Sequence, residues 1–195
     1  MITKSDRNTL AEAGITDIES LAATAAAFLR AHPIYPAEPV TNALSPQEED
    51  FLRLGGAVGV GTYNAHQAAR NVAVIAGEFA QMVATALSQK AVAALLGVST
   101  SRIRQKLESG MLYAVQGPGG RVCPRFQFGQ SGTLPGLEGV LRAISPQAHP
   151  VAIQRFFLSE HPDLESEELG RALSPRDWLL SGHPNEPVIE LASEI

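Results

Sequence analysis

The sequence predicts a mainly α protein: a helical N-terminal region, a central helix-turn-helix with a small β wing, and a helical C-terminal domain. Three observations lead there. Apolar residues recur every three or four positions over residues 63–87 and again in the last third of the chain, the period of helices buried on one side. Ser-Pro pairs with an acid shortly after them, at Ser45 and Ser174, mark helix starts. A strand-turn-strand pattern is read at residues 112–124, after two short helical segments joined through a glycine. Four regions follow from these signals: a helical or linker region at 1–44, a second helical region at 45–87, the helix-turn-helix with its wing at 88–130 and a helical domain at 131–195.

Before Ser45 the chain is alanine-rich and weakly patterned, and it ends in the cluster Pro33, Pro36 and Pro39, which reads as an extended linker. The apolar run Leu21–Leu29 is too short to span a membrane. Acidic Asp17 and Glu19 precede it, where a signal peptide would carry positive charge. With Cys123 as its one cysteine, the chain has no disulfide framework, so a cytoplasmic protein without a membrane partner is expected.

Ser45-Pro46-Gln47-Glu48 gives an N-cap, a proline at the first helical position and a capping-box acid, for a helix running to about Leu54. Gly55, Gly56, Gly59 and Gly61 break it, and a long helix resumes from Tyr63 to Leu87. Ala68, Val72, Ile75, Phe79, Met82 and Ala86 form its apolar stripe, which is either an inward face or a homodimer seam around Val72–Met82.

Ser88–Leu95 places Val92, Leu95 and Leu96 on one face, and Gly97-Val98-Ser99 turns the chain into a second helix, Thr100–Ser109, ended by Gly110. Ile103 and Leu107, four apart, are expected inside. Thr100, Ser101, Arg104, Gln105 and Glu108 then face outward, with Arg102 and Lys106 beside them. Arginine can bond guanine with two parallel hydrogen bonds and glutamine can do the same to adenine, while small hydroxyl residues such as Ser99 near the helix start reach phosphates. A helix pair joined by a glycine turn also occurs as plain scaffolding, and both readings stand at this point. Leu112–Val115 and Arg121–Pro124 read as the wing strands around Gly117-Pro118-Gly119-Gly120, with Arg121 and Arg125 carried toward the phosphate backbone.

Charge placement favours the nucleic-acid reading. Residues 88–128 hold six basic side chains against the single acid Glu108, a local +5 in a chain of net −5. Beyond Phe157, nine acids oppose only Arg171 and Arg176.

In the C-terminal part, helical spacing predicts helices at Leu134–Ile144 and Pro150–Leu158, an acidic loop, a serine-capped helix from Ser174 and a last helix over Pro187–Ile195. Trp178 is expected in the core. Glu186, Glu190 and Glu194 are spaced by four on one face, either a solvated stripe or an acidic plug for a basic partner pocket. His32, His149, His161 and His183 each precede proline, so they fall in extended turns and share no metal-ligand spacing. No residues stand in a nucleophile-elbow context. Neither an enzyme, a metal nor a cofactor is expected.

Two resemblances extend this reading. The run Lys90–Ser99, then Arg102-Ile103-Arg104-Gln105, Gly110-Met111-Leu112-Tyr113-Ala114 and Pro124–Phe128 resembles the excisionase or MerR-type winged helix-turn-helix. That implies DNA binding with Ser99–Lys106 as the recognition helix. Pro175, Trp178, Leu179, Gly182, Pro187, Val188 and Leu191 resemble the toxin-binding domain of the Xre, MbcA and ParS antitoxins, although many of those relatives carry an Xre-type DNA-binding region instead of a winged one. This second resemblance implies a type II antitoxin. Such a protein neutralises a cognate toxin, commonly an NAD-consuming RES-type toxin, through its C-terminal segment, with Trp178, Leu179, Glu186, Glu190 and Glu194 as contacts, and autoregulates by binding operator DNA. The alternative is a free-standing transcription regulator whose C-terminal domain dimerises or senses a ligand.

Overall fold

A computed structural model describes residues 3–12, 17–31, 45–55, 65–130, 132–166 and 168–195. Pro33, Pro36, Pro39, His32, Gly56, Gly59, Gly61 and Tyr63 lie outside the described residues, as does the side chain of Ala68. The described chain is mainly helical, as the sequence predicts.

At the N-terminal end are α1 (Lys4–Glu12), α2 (Ile18–Ala31) and α3 (Pro46–Leu54). The α3 start is the expected capping box: the Glu48 carboxylate accepts from the Ser45 backbone N–H and hydroxyl, both at 2.8 Å. Those two hydrogen bonds hold the Glu48 pKa below its ordinary value. Next comes α4 (Ala65–Thr85), where Ala76, Ala80, Met82 and Val83 are buried; of the stripe read from the sequence, Met82 is buried and Val72, Ile75 and Phe79 are half-buried. Helix α2 lies along it, with Phe28 and Phe79 ring centroids 5.1 Å apart. The Phe79 and Met82 end of the stripe packs within the chain, while Val72 and Ile75 keep part of their surface exposed.

The central segment holds β1 (Leu87–Ser88), α5 (Gln89–Leu95), α6 (Thr100–Glu108), β2 (Val115–Gly117) and β3 (Gly120–Cys123). The three strands form an antiparallel sheet in the order β1-β3-β2. The wing strand starts at Val115 rather than Leu112, and Leu87 belongs to β1 rather than to the long helix. A two-residue turn, Pro118-Gly119, joins β2 to β3, with Gln116 opposite Arg121.

A 3₁₀ turn, Arg125–Gln127, then leads to α7 (Leu137–Ala143), α8 (Pro150–Leu158), β4 (His161–Ser166), β5 (Arg171–Leu173), α9 (Pro175–Leu180) and α10 (Glu186–Ala192). The acidic stretch expected as a loop is therefore an antiparallel hairpin, β4 with β5. Its inner positions are Leu164, Ser166 and Leu173, all buried, while its acids Asp163 and Glu165 face outward.

One apolar cluster runs through all of this. It takes Val92, Ile103 and Leu107 from the helix pair and Phe126 and Leu134 from the linking segment. Phe157, Leu164, Leu179, Val188 and Ala192 come from the C-terminal elements. Phe126 stacks on Phe157 at 4.7 Å between ring centroids, and burying one such ring contributes about 1.5–3 kcal/mol. The division expected near residue 130 is not a packing boundary. On the outside, Arg155 of α8 forks onto Glu78 of α4 through two 2.8 Å hydrogen bonds.

Candidate nucleic-acid interface

Helices α5 and α6 are fixed by local chemistry. Ser88 caps α5, its hydroxyl accepting from the Ala91 N–H at 3.1 Å. The helix ends in a Schellman turn, with Val98 N–H donating to the Ala93 carbonyl at 3.0 Å and Gly97 to Ala94 at 3.3 Å. That turn requires a positive φ, which Gly97 supplies at 64°. Ser99 caps α6 by accepting from the Arg102 N–H at 3.2 Å. The inner residues of the pair are Val92 and Ala93 from α5 and Ile103 and Leu107 from α6. Leu95, expected inside, is 38% exposed, and Ala93 occupies the inner position instead. The smaller side chain lets the two helices meet closely.

With Ile103 and Leu107 turned inward, Thr100, Ser101, Arg102, Arg104, Gln105 and Glu108 are exposed on α6 and Lys106 is half-buried. Arg102 donates to the Gln105 side-chain oxygen at 3.1 Å, which leaves the Gln105 amide NH₂ directed to other acceptors. The row therefore offers hydroxyl, guanidinium and amide donors at helical spacing, the groups that read base edges and phosphates.

Arg121 is exposed on β3, and its cross-strand neighbour Gln116 is exposed beside it. Gln116 was not singled out from the sequence, because only the strand register brings it next to Arg121. Arg125 is exposed but not on a wing strand. It lies in the 3₁₀ turn after the wing, and its Nε donates to the Thr85 carbonyl at 2.8 Å, so it caps the C-terminal end of α4.

Gln127, also unforeseen, holds the wing in place. It is fully buried; its side-chain oxygen accepts from the Tyr113 N–H at 2.8 Å. Its amide nitrogen donates to the carbonyls of Tyr113 at 2.8 Å and Pro124 at 3.1 Å. The only sequence signal was its position between two phenylalanines. Cys123 sits beneath the wing, and burial pushes its thiol up to about 11.

The second group of expected contacts lies at the C-terminal end. Ser174 caps α9 as expected, accepting from the Asp177 N–H at 3.1 Å. Leu179 is 1% exposed, a core residue that no partner can touch on the folded surface. Trp178 is half-buried rather than central. Its indole N–H donates to the Pro184 carbonyl at 2.7 Å, and its ring stacks on His183 at 4.1 Å, clamping the loop between α9 and α10. Glu186 and Glu190 are exposed on α10 and Glu194 is exposed just beyond it. None of the three forms an ion pair with a described residue.

The histidines serve turns: His149 caps α8 by accepting from the Val151 N–H at 3.2 Å, and His161 accepts from the Asp163 N–H at 3.3 Å. Among the described residues no helix is long and apolar enough to cross a membrane.

No family model matches the chain and no curated protein matches it. Among solved structures it is similar to the NMR structure of Rv2175c, at 28% identity over 56% of this chain and 79% of that chain, with a TM-score of 0.42. A likeness at that TM-score fixes neither fold nor function.

Proposed function

We propose that this chain is a cytoplasmic DNA-binding antitoxin, which reads operator DNA through α6 and the β2–β3 wing and neutralises a cognate toxin through its C-terminal surface. The observation that carries the DNA half is the exposed row Thr100, Ser101, Arg104 and Gln105 on a helix pinned from behind by buried Ile103 and Leu107. Arg104 and Gln105 are the base-reading residues, and Ser99, Thr100, Ser101, Arg102, Lys106 and Arg121 serve the phosphates. For the toxin half, the support is the exposed acid row Glu186, Glu190 and Glu194, suited to a basic pocket such as one that holds a dinucleotide. A RES-type, NAD-consuming toxin is the partner this reading favours.

A homodimer is part of the proposal, since two half-sites need two recognition helices. A second reading, the free-standing transcription regulator, is favoured by the shared core, because the C-terminal helices and the helix-turn-helix contribute to one apolar cluster.

Two experiments test the pair. Selection of bound sequences from random duplex DNA by the full chain should return a consensus that Arg104→Ala loosens, at a cost of about 1–3 kcal/mol in affinity. No enrichment would remove the DNA-binding reading. Coexpression of the full chain with the product of the adjacent gene should rescue growth, and Glu186→Lys with Glu190→Lys and Glu194→Lys should abolish rescue while leaving DNA binding intact. A harmless neighbour leaves the regulator reading in its place.

A further inference from the structure

A concave pocket of about 530 Å³ opens between α2, α4, the wing and the first residue of α8. That volume is within the range of about 300–1,000 Å³ usual for small-molecule sites. Phe28, Phe79 and Tyr113 supply its aromatic walls, and Pro118 of the wing turn and Pro150 of α8 close two sides. Among the described residues no Asp, Glu, Lys, Arg or His lines it.

The polar groups are few and neutral. Thr24 is buried, and its hydroxyl donates to the Ser20 carbonyl at 2.8 Å, which leaves the hydroxyl oxygen as an acceptor. The Gln116 side-chain nitrogen is turned to the Gly117 carbonyl at 3.2 Å, which leaves its oxygen as an acceptor. Tyr113 stays a neutral phenol, its pKa pushed up to about 12 by burial. A charged ligand would lose its hydration here with no counter-charge to offset the loss. A flat apolar ligand would gain contact with three rings, and one N–H on it would find acceptors.

We propose that this pocket is a binding site for an uncharged, planar aromatic small molecule bearing a hydrogen-bond donor. The pocket lies apart from α6 and from the acid row of α10, and it shares Gln116 and Pro118 with the wing. The size of the recess suits a molecule of two or three rings better than a chain segment, which would bring backbone amides into a wall with few partners for them.

The test uses N-phenyl-1-naphthylamine, a neutral three-ring amine that fluoresces in apolar surroundings, against its sulfonated counterpart, 1-anilinonaphthalene-8-sulfonate. The full-length protein should bind the neutral probe saturably at one per chain, and the sulfonate at least about tenfold more weakly. Ala27→Trp fills the pocket from the exposed rim of α2 and should weaken the neutral probe by at least about tenfold. Ala22→Trp, equally exposed on α2 but outside the lining, should leave it unchanged. Ala23→Trp, also on the rim, repeats the test should the first variant lose its wild-type circular dichroism. The proposal is overturned by non-saturable binding, by equal affinity for the two probes, or by equal binding to the rim and control variants. A probe affinity that falls as protein concentration rises overturns it too, because a second copy would then be the occupant.

Discussion

Replacing Gln127 by alanine removes three hydrogen bonds from a side chain that solvent does not reach. The two bonds to Tyr113 are part-buried, and breaking them costs about 1 kcal/mol each, since those backbone groups regain some water. The Pro124 carbonyl contact is buried and would be stranded, at about 1–2 kcal/mol. With the small void left behind, the expected loss is about 3–5 kcal/mol. Urea unfolding followed by far-UV circular dichroism would show this as a lower midpoint at unchanged slope. Glu in the same place is a sharper probe. Its carboxylate can accept from the Tyr113 N–H but faces two carbonyl oxygens, so its folded-state pKa is raised and the variant should recover stability, relative to wild type, as pH falls. An alanine variant within about 1 kcal/mol of wild type would refute the clamp. So would a Glu variant that tracks the wild-type pH profile.

Burial holds Cys123 at about 11 and Tyr113 at about 12, above their ordinary 9.0 and 10.0, so the unfolded chain releases both protons first. Stability should be whole below pH 9 and fall as pH rises toward 11 to 12, and Cys123→Ala should remove the earlier part of that decline in urea midpoints measured against pH. Gly136 has φ +68°, and a Cβ there would meet Asn185 atoms at 2.7 and 2.9 Å. Gly136→Ala should lower the melting temperature, and adding Asn185→Gly, which removes every clashing side-chain atom, should relieve the clash while leaving the left-handed strain of about 1–2 kcal/mol. For Arg121→Ala, DNA affinity should drop alike for all sequences and the slope of log affinity against log salt should shallow by about 1, read by fluorescence anisotropy. A change in sequence preference would place Arg121 at a base edge instead.

What the sequence displayed was chemistry local to a few residues. The caps at Ser45 and Ser174, the glycine turn at Gly97 and the inward pair Ile103 and Leu107 depend on neighbours within one helical turn, and each is found in the structure. Features set by distant partners were hidden. Strand β1 is two residues long and exists only because Cys123 and Val122 pair with it. The β4–β5 hairpin carries a register shift between His161 and Glu165, and one of its inner residues is Ser166, so the period-two pattern was broken where it mattered. Arg125 resembled a wing cation because its acceptor, Thr85, is forty residues away. Trp178 carried the size of a core residue, but its N–H needed an acceptor, and Pro184 at the surface provides one. In the candidate interface, the α6 row was legible and the Gln116–Arg121 pairing was not.

The continuous core ties the fate of the two ends together. Leu179, Val188 and Ala192 pack in the same cluster as Ile103 behind the outward row of α6. A cut ahead of Ser174 therefore strips wall from the interior that holds α6 in shape, and loss of DNA binding in such a fragment would report collapse rather than a missing contact. A cellular protease that trimmed this tail would, on the proposed function, silence the repressor and free the toxin in one event. Any design meant to separate the two activities has to work on exposed side chains and leave the chain whole.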